Sequence, residues 1–236
     1  MWIGYNQIMI FPTYTKELGF LSEYKYIAGI DEVGRGPLAG PVVSAVVILD
    51  PARVGKYRSR SKWWSGVRDS KTLTAAKRLA LGEFVKENAL DFAIGIATHQ
   101  EIDELNIHYA SLLAMRRAIE NLEISPELLL IDGKFKIPRI SMQQKTVIDG
   151  DAKVLSIAAA SIIAKVYRDD LMQKYSEEFP HFGFAKHKGY DTAFHRKQLL
   201  RRGPCPIHRM TFETVKGIMN TRFEKMKRDA SSDVER

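Results

Sequence analysis

Cysteine is almost missing from this 236-residue chain. Cys205 stands alone, so no internal disulfide can form, and the sequence is read as that of a protein in a reducing, cytoplasmic compartment. Set between Pro204 and Pro206, the thiol is read as a packed small residue rather than a nucleophile. Long apolar runs are missing too. The longest low-charge stretch, residues 154–164, is bounded by Lys153 and Lys165 and falls well short of the roughly 20 residues a bilayer requires. It is read as a buried helix. The start, Met1-Trp2-Ile3-Gly4-Tyr5-Asn6-Gln7, has no basic segment followed by an apolar one, which argues against a secretory leader. The sequence has no internal repeat, no dividing linker and no Cys/His cluster at metal-ligand spacing, so one domain is expected and any metal chemistry falls to oxygen ligands. Acidic residues are outnumbered. Thirty-six Lys and Arg against 28 Asp and Glu leave a formal charge of +8, and the pI is near 9.5, which favours a polyanionic partner such as nucleic acid.

What the chain does have is a series of short apolar segments, several ending in acid and glycine. Residues 26–30 and 41–49 read as strands joined by a glycine-rich turn, and an antiparallel pair is expected. A basic, aromatic loop follows over residues 52–68, with Arg58, Arg60, Lys62, Trp63 and Trp64; it is read as a surface loop pinned by tryptophan. Thr74 caps a helix over about 75–88, and residues 91–97 form a third strand. Thr98-His99-Gln100-Glu101 has the spacing of a capping box, opening a helical region whose main stretch is 108–122. Residues 128–131 and 144–148 form further strands, ending in Asp132-Gly133 and Asp149-Gly150-Asp151. One long helix, rich in small residues, is expected over 152–178, followed by cation-dense loop and short helix. The end, residues 224–236, is expected to fray. The fold class is α/β, a mixed sheet flanked by helices, with a helical C-terminal extension.

Asp31, Glu32, Asp132 and Asp151 are the acids this plan gathers at one sheet edge. Carboxylates concentrated there call for a bound cation, and hard oxygen donors suit magnesium or manganese. Two such ions support phosphoryl transfer by activating a water and stabilising the leaving oxygen. Neighbouring strand residues point to opposite faces, so Asp31 and Glu32 converge only if the strand ends there, or if Glu32 acts through its backbone carbonyl. Asp149 competes with Asp151 for the fourth position; Asp151 is preferred because it precedes a helix, with a plain helix cap as its alternative role. Gly34, Arg35 and Gly36 offer backbone N–H groups and a cation to a phosphate-bearing ligand. Asp69-Ser70-Lys71 opens a helical region and is read as holding a phosphate through backbone N–H groups and Lys71, with an ordinary cap as the alternative. Asp169 is expected to pair structurally with a cation.

The run from Ile27 to Val43, IAGIDEVGRGPLAGPVV, resembles the opening signature of the ribonuclease HII family. Asp69-Ser70-Lys71, Leu130-Ile131-Asp132-Gly133, Gly150-Asp151, residues 156–169 (SIAAASIIAKVYRD), His187-Lys188-Gly189-Tyr190 and Pro206-Ile207-His208-Arg209 follow in that family's order, covering about residues 12–215. The resemblance implies a ribonuclease H-like fold and metal-dependent hydrolysis of RNA in RNA/DNA hybrids and at single ribonucleotides embedded in DNA. The products would be a 3'-hydroxyl and a 5'-phosphate, in the service of DNA replication and repair. It implies that Asp31, Glu32, Asp132 and Asp151 are the catalytic carboxylates holding manganese or magnesium, that Gly34, Arg35 and Gly36 read the ribose 2'-hydroxyl, and that Tyr190 stacks on the sugar at the RNA-to-DNA junction. Gly34-Arg35-Gly36 favours this family over the ribonuclease HIII family, which usually carries Gly-Thr-Gly. A catalytic core over about 12–180, a substrate-binding helical segment over 181–222 and a monomer acting on nucleic acid are the corresponding expectations. A DNA nuclease of the resolvase or integrase kind and a non-catalytic nucleic-acid-binding module are the competing readings.

Overall fold

The computed structural model describes residues 11–57, 64–68 and 70–234. Five strands, β1 (Ile27–Val33), β2 (Val42–Leu49), β3 (Ala89–Ala97), β4 (Leu128–Asp132) and β5 (Gln143–Val147), form one sheet in the order β3-β2-β1-β4-β5. The first three pair antiparallel in succession, while β4 runs parallel to both β1 and β5. Around them lie α1 (Thr15–Leu18), α2 (Pro51–Tyr57), α3 (Ala75–Asn88), α4 (His99–Glu120), α5 (Gly150–Lys153), α6 (Leu155–Glu178), α7 (Phe184–His187), α8 (Ala193–Arg202) and α9 (Glu213–Val234).

The alternation of side chains along β1 sorts the core into two layers. Ala28 and Ile30 face α4, packing with Val46, Ile48, Met115 and Ala118. Ile27 faces α6 and packs with Leu128, Leu130 and Ile157. Gly29 sits on that second face, where a Cβ would come within 2.3 Å of the Ser156 backbone, so only glycine lets α6 lie this close to β1. The small residues Ala158, Ala159 and Ala160 are fully buried along the same helix. A separate cluster of Leu38, Phe182, Phe184, Leu199, Ile207 and Val215 ties the C-terminal helices to the loop after β1.

Helix starts follow their caps. The Thr74 hydroxyl accepts from Lys77 N–H at α3, and Thr98 with Glu101 closes a full capping box at α4. Departures from the sequence reading have local causes. α4 is kinked at Asn106, whose φ is 66° and whose side-chain oxygen caps the following turn by accepting from His108 N–H at 2.9 Å. The helix expected over 152–178 is broken at Val154, which is extended and bridges to Thr13. The basic loop begins as helix α2 and contains a 3-10 turn at Trp64–Gly66. Trp64 does pin it, 5% exposed and edge-on to Phe84 at 4.9 Å; Arg58, Arg60, Lys62 and Trp63 lie outside the described residues. Fraying was expected from residue 224, yet α9 continues to Val234. Among the described residues no helix is long and apolar enough to cross a membrane.

Candidate active site

β1 does not end at its acids; it runs on to Val33. Alternation therefore sends Asp31 to the α6 face and Glu32 to the α4 face. Ile30 pairs with Ile131, so the next step of the parallel register brings Asp31 beside Asp132, on the same face of the adjacent strand. Asp132 closes β4 and reaches around its end. It lines, with Glu32, Arg35, His108, Met115 and Phe135, a cavity of about 320 Å³ on the α4 side. The two β1 acids thus flank Asp132 from opposite faces, and the strand need not stop for them to meet.

Asp31 is 5% exposed. Burial pushes its carboxyl well above the usual carboxylate range, and the charges of Glu32, Asp132 and Asp151 raise it further against a hydrogen bond from Ser161. Burial likewise raises Glu32, opposed by Arg35, whose Nη1 donates to Glu32 Oε1 at 3.0 Å. Asp132 Oδ1 accepts from the Gly150 N–H at 2.7 Å, which docks the start of α5 against the end of β4. Asp151 lies inside the first turn of α5, with Asp149 at the N-cap position. Its Oδ2 is 3.8 Å from Lys71 Nζ. Asp149, its sequence competitor, is left-handed at φ 54° and turned to solvent, with its side chain 73% exposed and paired to Lys153. Asp169 pairs with Arg78 and Lys165, away from this cluster of acids.

Among the described residues no three His, Cys, Asp or Glu side chains form a ready metal-binding group. Each carboxylate has a competing partner instead: the Glu32 N–H for Asp31, Arg35 for Glu32, Gly150 for Asp132 and Lys71 for Asp151. The donor set nevertheless fits a hard divalent cation. All four groups are carboxylates, and Glu32 Oε2 is buried without a hydrogen-bond partner, a costly state that a cation would relieve.

Beside the acids stands the loop after β1. Gly34 has φ 96°, and the Tyr190 ring lies next to Gly36, where a Cβ would stand 3.8 Å from Tyr190 Cε1. Tyr190 is 42% exposed, which leaves its ring open to a ligand. Ser70 begins a 3-10 turn, but its hydroxyl faces inward, 3.0 Å from Ser161 Oγ; Lys71 is 76% exposed, and Asp69 lies outside the described residues.

Sequence reasoning missed the supports of this site. Ser161, which links Ser70 to Asp31, was legible only as one of two hydroxyls, with Ser156, in a buried apolar run. Arg168 and Arg209, both fully buried, sit within quoted motifs, but nothing local marks them as buried. Three histidines hold the Tyr190 backbone. His208 Nδ1 accepts from Cys205 N–H, and its Nε2 lies 3.0 Å from His195 Nε2. His195 Nδ1 then donates to the Tyr190 carbonyl at 2.9 Å. Tyr190 N–H donates in turn to the His187 carbonyl.

A sequence model of the family described as ribonuclease HII matches residues 28–215. The chain is 47% identical over 205 residues to a ribonuclease HII of Syntrophotalea carbinolica, covering 87% of this chain and 93% of that protein. It is 52% identical over 193 residues to one of Geotalea daltonii, covering 82% and 85%. Among solved structures, the ribonuclease H2 of Pyrococcus horikoshii superposes with a TM-score of 0.69 at 28% identity, covering 84% of this chain and 98% of that one.

Proposed function

The chain belongs to the ribonuclease HII family, and from that premise we propose that Asp31, Glu32, Asp132 and Asp151 form the metal-dependent centre of this endoribonuclease. The enzyme hydrolyses the RNA strand of RNA/DNA hybrids and cuts 5' of single ribonucleotides in duplex DNA, leaving a 3'-hydroxyl and a 5'-phosphate. The observation that carries the site assignment is the meeting of Asp31 and Asp132 on adjacent parallel strands, with Glu32 across the strand end and the Gly34-Arg35-Gly36 loop beside them.

Two divalent ions, manganese or magnesium, would supply the charge that lowers the pKa of an attacking water and stabilises the leaving 3'-oxygen. Asp31, Glu32, Asp132 and Asp151 would hold them. The rest of the task falls to the chain's own groups. Backbone N–H groups of the glycine-rich loop donate to the ribose 2'-hydroxyl, the group that distinguishes RNA from DNA. Arg35, with a side chain 47% exposed, neutralises a neighbouring phosphate, and Lys71 with the turn at Ser70 takes another. Tyr190 stacks on the sugar at the RNA-to-DNA junction. Residues 181–222 contribute to duplex binding, and the basic balance of the whole chain favours the approach of nucleic acid. One chain supplies every group of this site, which supports action as a monomer. The half-buried Cys205, its thiol pushed up to about 11 by burial, fits a cytoplasmic protein without disulfides.

The deciding experiment is cleavage of a labelled duplex carrying one ribonucleotide, beside an all-DNA duplex, with magnesium, manganese or EDTA. A metal-dependent cut 5' of the ribonucleotide and none in the control is the expected result. Equal cutting of both would overturn the role given to the loop, and cleavage in EDTA would overturn the metal centre.

A further inference from the structure

Arg168 on α6 and Arg209 before α9 are both completely buried, and each spends its donors on carbonyls of the loop region rather than on a carboxylate. Arg168 Nε donates to Pro41 O at 3.0 Å, Nη2 to Ala39 O at 3.2 Å and Nη1 to Lys188 O at 3.1 Å. Arg209 Nε donates to Gly40 O at 2.9 Å, Nη1 to Arg35 O at 2.9 Å and Nη2 to Gly34 O at 2.5 Å. Arg209 N–H also donates to Leu38 O, and Leu38 N–H to Gly189 O. Burial pushes Arg168 down to about 10 and Arg209 down to about 9, so both remain cationic at neutral pH. Two buried charges whose donors all go to carbonyls, with Asp169 and Asp103 acting on them only through their charge and not by a hydrogen bond, are expensive for a fold. That cost points to a use which packing alone does not explain.

The use follows from peptide geometry. In a trans peptide the C=O of one residue and the N–H of the next point in opposite directions. Arg209 draws the carbonyls of Gly34 and Arg35 inward, so the amides of Arg35 and Gly36 must turn outward. Gly34 can join the arrangement only as glycine, because a Cβ there would fall 2.2 Å from Arg168 Nε. Arg168 in turn binds the Lys188 carbonyl, two residues before Tyr190, and so sets the spacing between the loop and the tyrosine beside Gly36.

We propose that Arg168 and Arg209 are positioning residues for ribose discrimination: clamping the loop carbonyls from beneath, they present the Arg35 and Gly36 amides to the 2'-hydroxyl. This rests on the reading of Gly34-Arg35-Gly36 given above. The C-terminal segment thereby takes part in ribose recognition through Arg209, although that side chain never reaches the substrate.

The test measures binding by fluorescence anisotropy in EDTA, where nothing is cut, for a duplex with one ribonucleotide and for its all-DNA counterpart. The full-length wild type is compared with Arg209→Lys and Arg168→Lys, which keep the charge but not the three-pronged grip. The wild type should prefer the ribonucleotide duplex. Each variant should keep its circular dichroism spectrum and its affinity for all-DNA duplex, while its ribonucleotide preference falls about tenfold, the loss expected for one misaligned hydrogen bond. If the wild type itself shows no preference, the reading of the loop fails. If the wild type discriminates and both folded variants discriminate equally well, the positioning role alone fails. Loss of folding in both variants would also overturn it, since the pair would then hold the whole fold rather than the loop.

Discussion

His195 and His208 face each other through their Nε2 atoms at 3.0 Å, both buried, and their outer nitrogens determine which ring donates. Cys205 offers His208 Nδ1 both an N–H and a carbonyl, so the direction is set at the far end, where the Tyr190 carbonyl can only accept and His208 Nε2 is left to donate to His195 Nε2. His195 therefore carries its own proton on Nδ1 and donates it to the Tyr190 carbonyl. The relay requires both rings to be neutral.

Stability should therefore fall on mild acidification. Burial holds each ring at about 4, below the ordinary 6.5. The folded chain binds fewer protons than the unfolded one in that window, so this contribution is complete above about 6.5 and is lost as pH drops toward about 4. Thermal midpoints measured from pH 7.5 to 4 should decline through this interval, and His208→Asn should flatten the decline. An unchanged slope in the variant would refute the relay.

Asp31→Asn should abolish cleavage and yet stabilise the protein. The substitution removes a buried charge that sits against three other acids. A gain of about 1 kcal/mol, or roughly 2–4 °C in melting temperature without metal, is expected. A lower melting temperature would mean that the carboxylate stabilises the fold.

Asp132→Asn should lower turnover by roughly two orders of magnitude or more while substrate binding in EDTA persists. Single-turnover kinetics with manganese would check it; wild-type rates would remove Asp132 from the centre.

Tyr190→Ala should weaken preference for the RNA-to-DNA junction about tenfold through lost stacking, whereas Tyr190→Phe should stay near wild type. Competition between junction-bearing duplexes and uniform hybrids reads this directly. Equal preference in wild type and the alanine variant would count against stacking.

Glu17→Ala should cost about 1–2 kcal/mol. Glu17 is fully buried and accepts from both the N–H and the hydroxyl of Ser156, standing in for the side-chain cap that Val154 cannot give α6. Burial raises its carboxyl, so the folded chain binds its proton more tightly, and this contribution declines as pH rises above the ordinary carboxylate range. Glu17→Gln should recover most of the loss in chemical denaturation; no difference between the two variants would dismiss the cap.

The strands, the helix starts at Thr74 and Thr98 and the acid closing β4 were legible because they rest on local rules: apolar periodicity, capping hydroxyls, glycine at turns; β1 instead runs past its acids to Val33. Residues 128–131 and 144–148 could be read as strands without knowing their neighbours, within one residue of the observed β4 and β5. The family resemblance came from the same local runs, each carrying several chemically constrained residues at fixed spacing. By itself, then, the sequence determined the α/β class, the acid set and the chemistry it suits. Its local rules could not decide whether Asp31 and Glu32 converge, because the answer depends on Asp132 rounding the end of a neighbouring strand. They preferred Asp151 to Asp149 only as the residue before a helix, and could not see the left-handed turn that leaves Asp149 exposed or the docking bond from Gly150 to Asp132. The burial of Arg168 and Arg209 was hidden for the same reason. A cation's partners lie elsewhere in the chain, and only the packing of α6 and the C-terminal segment around the glycine-rich loop brings those carbonyls within reach.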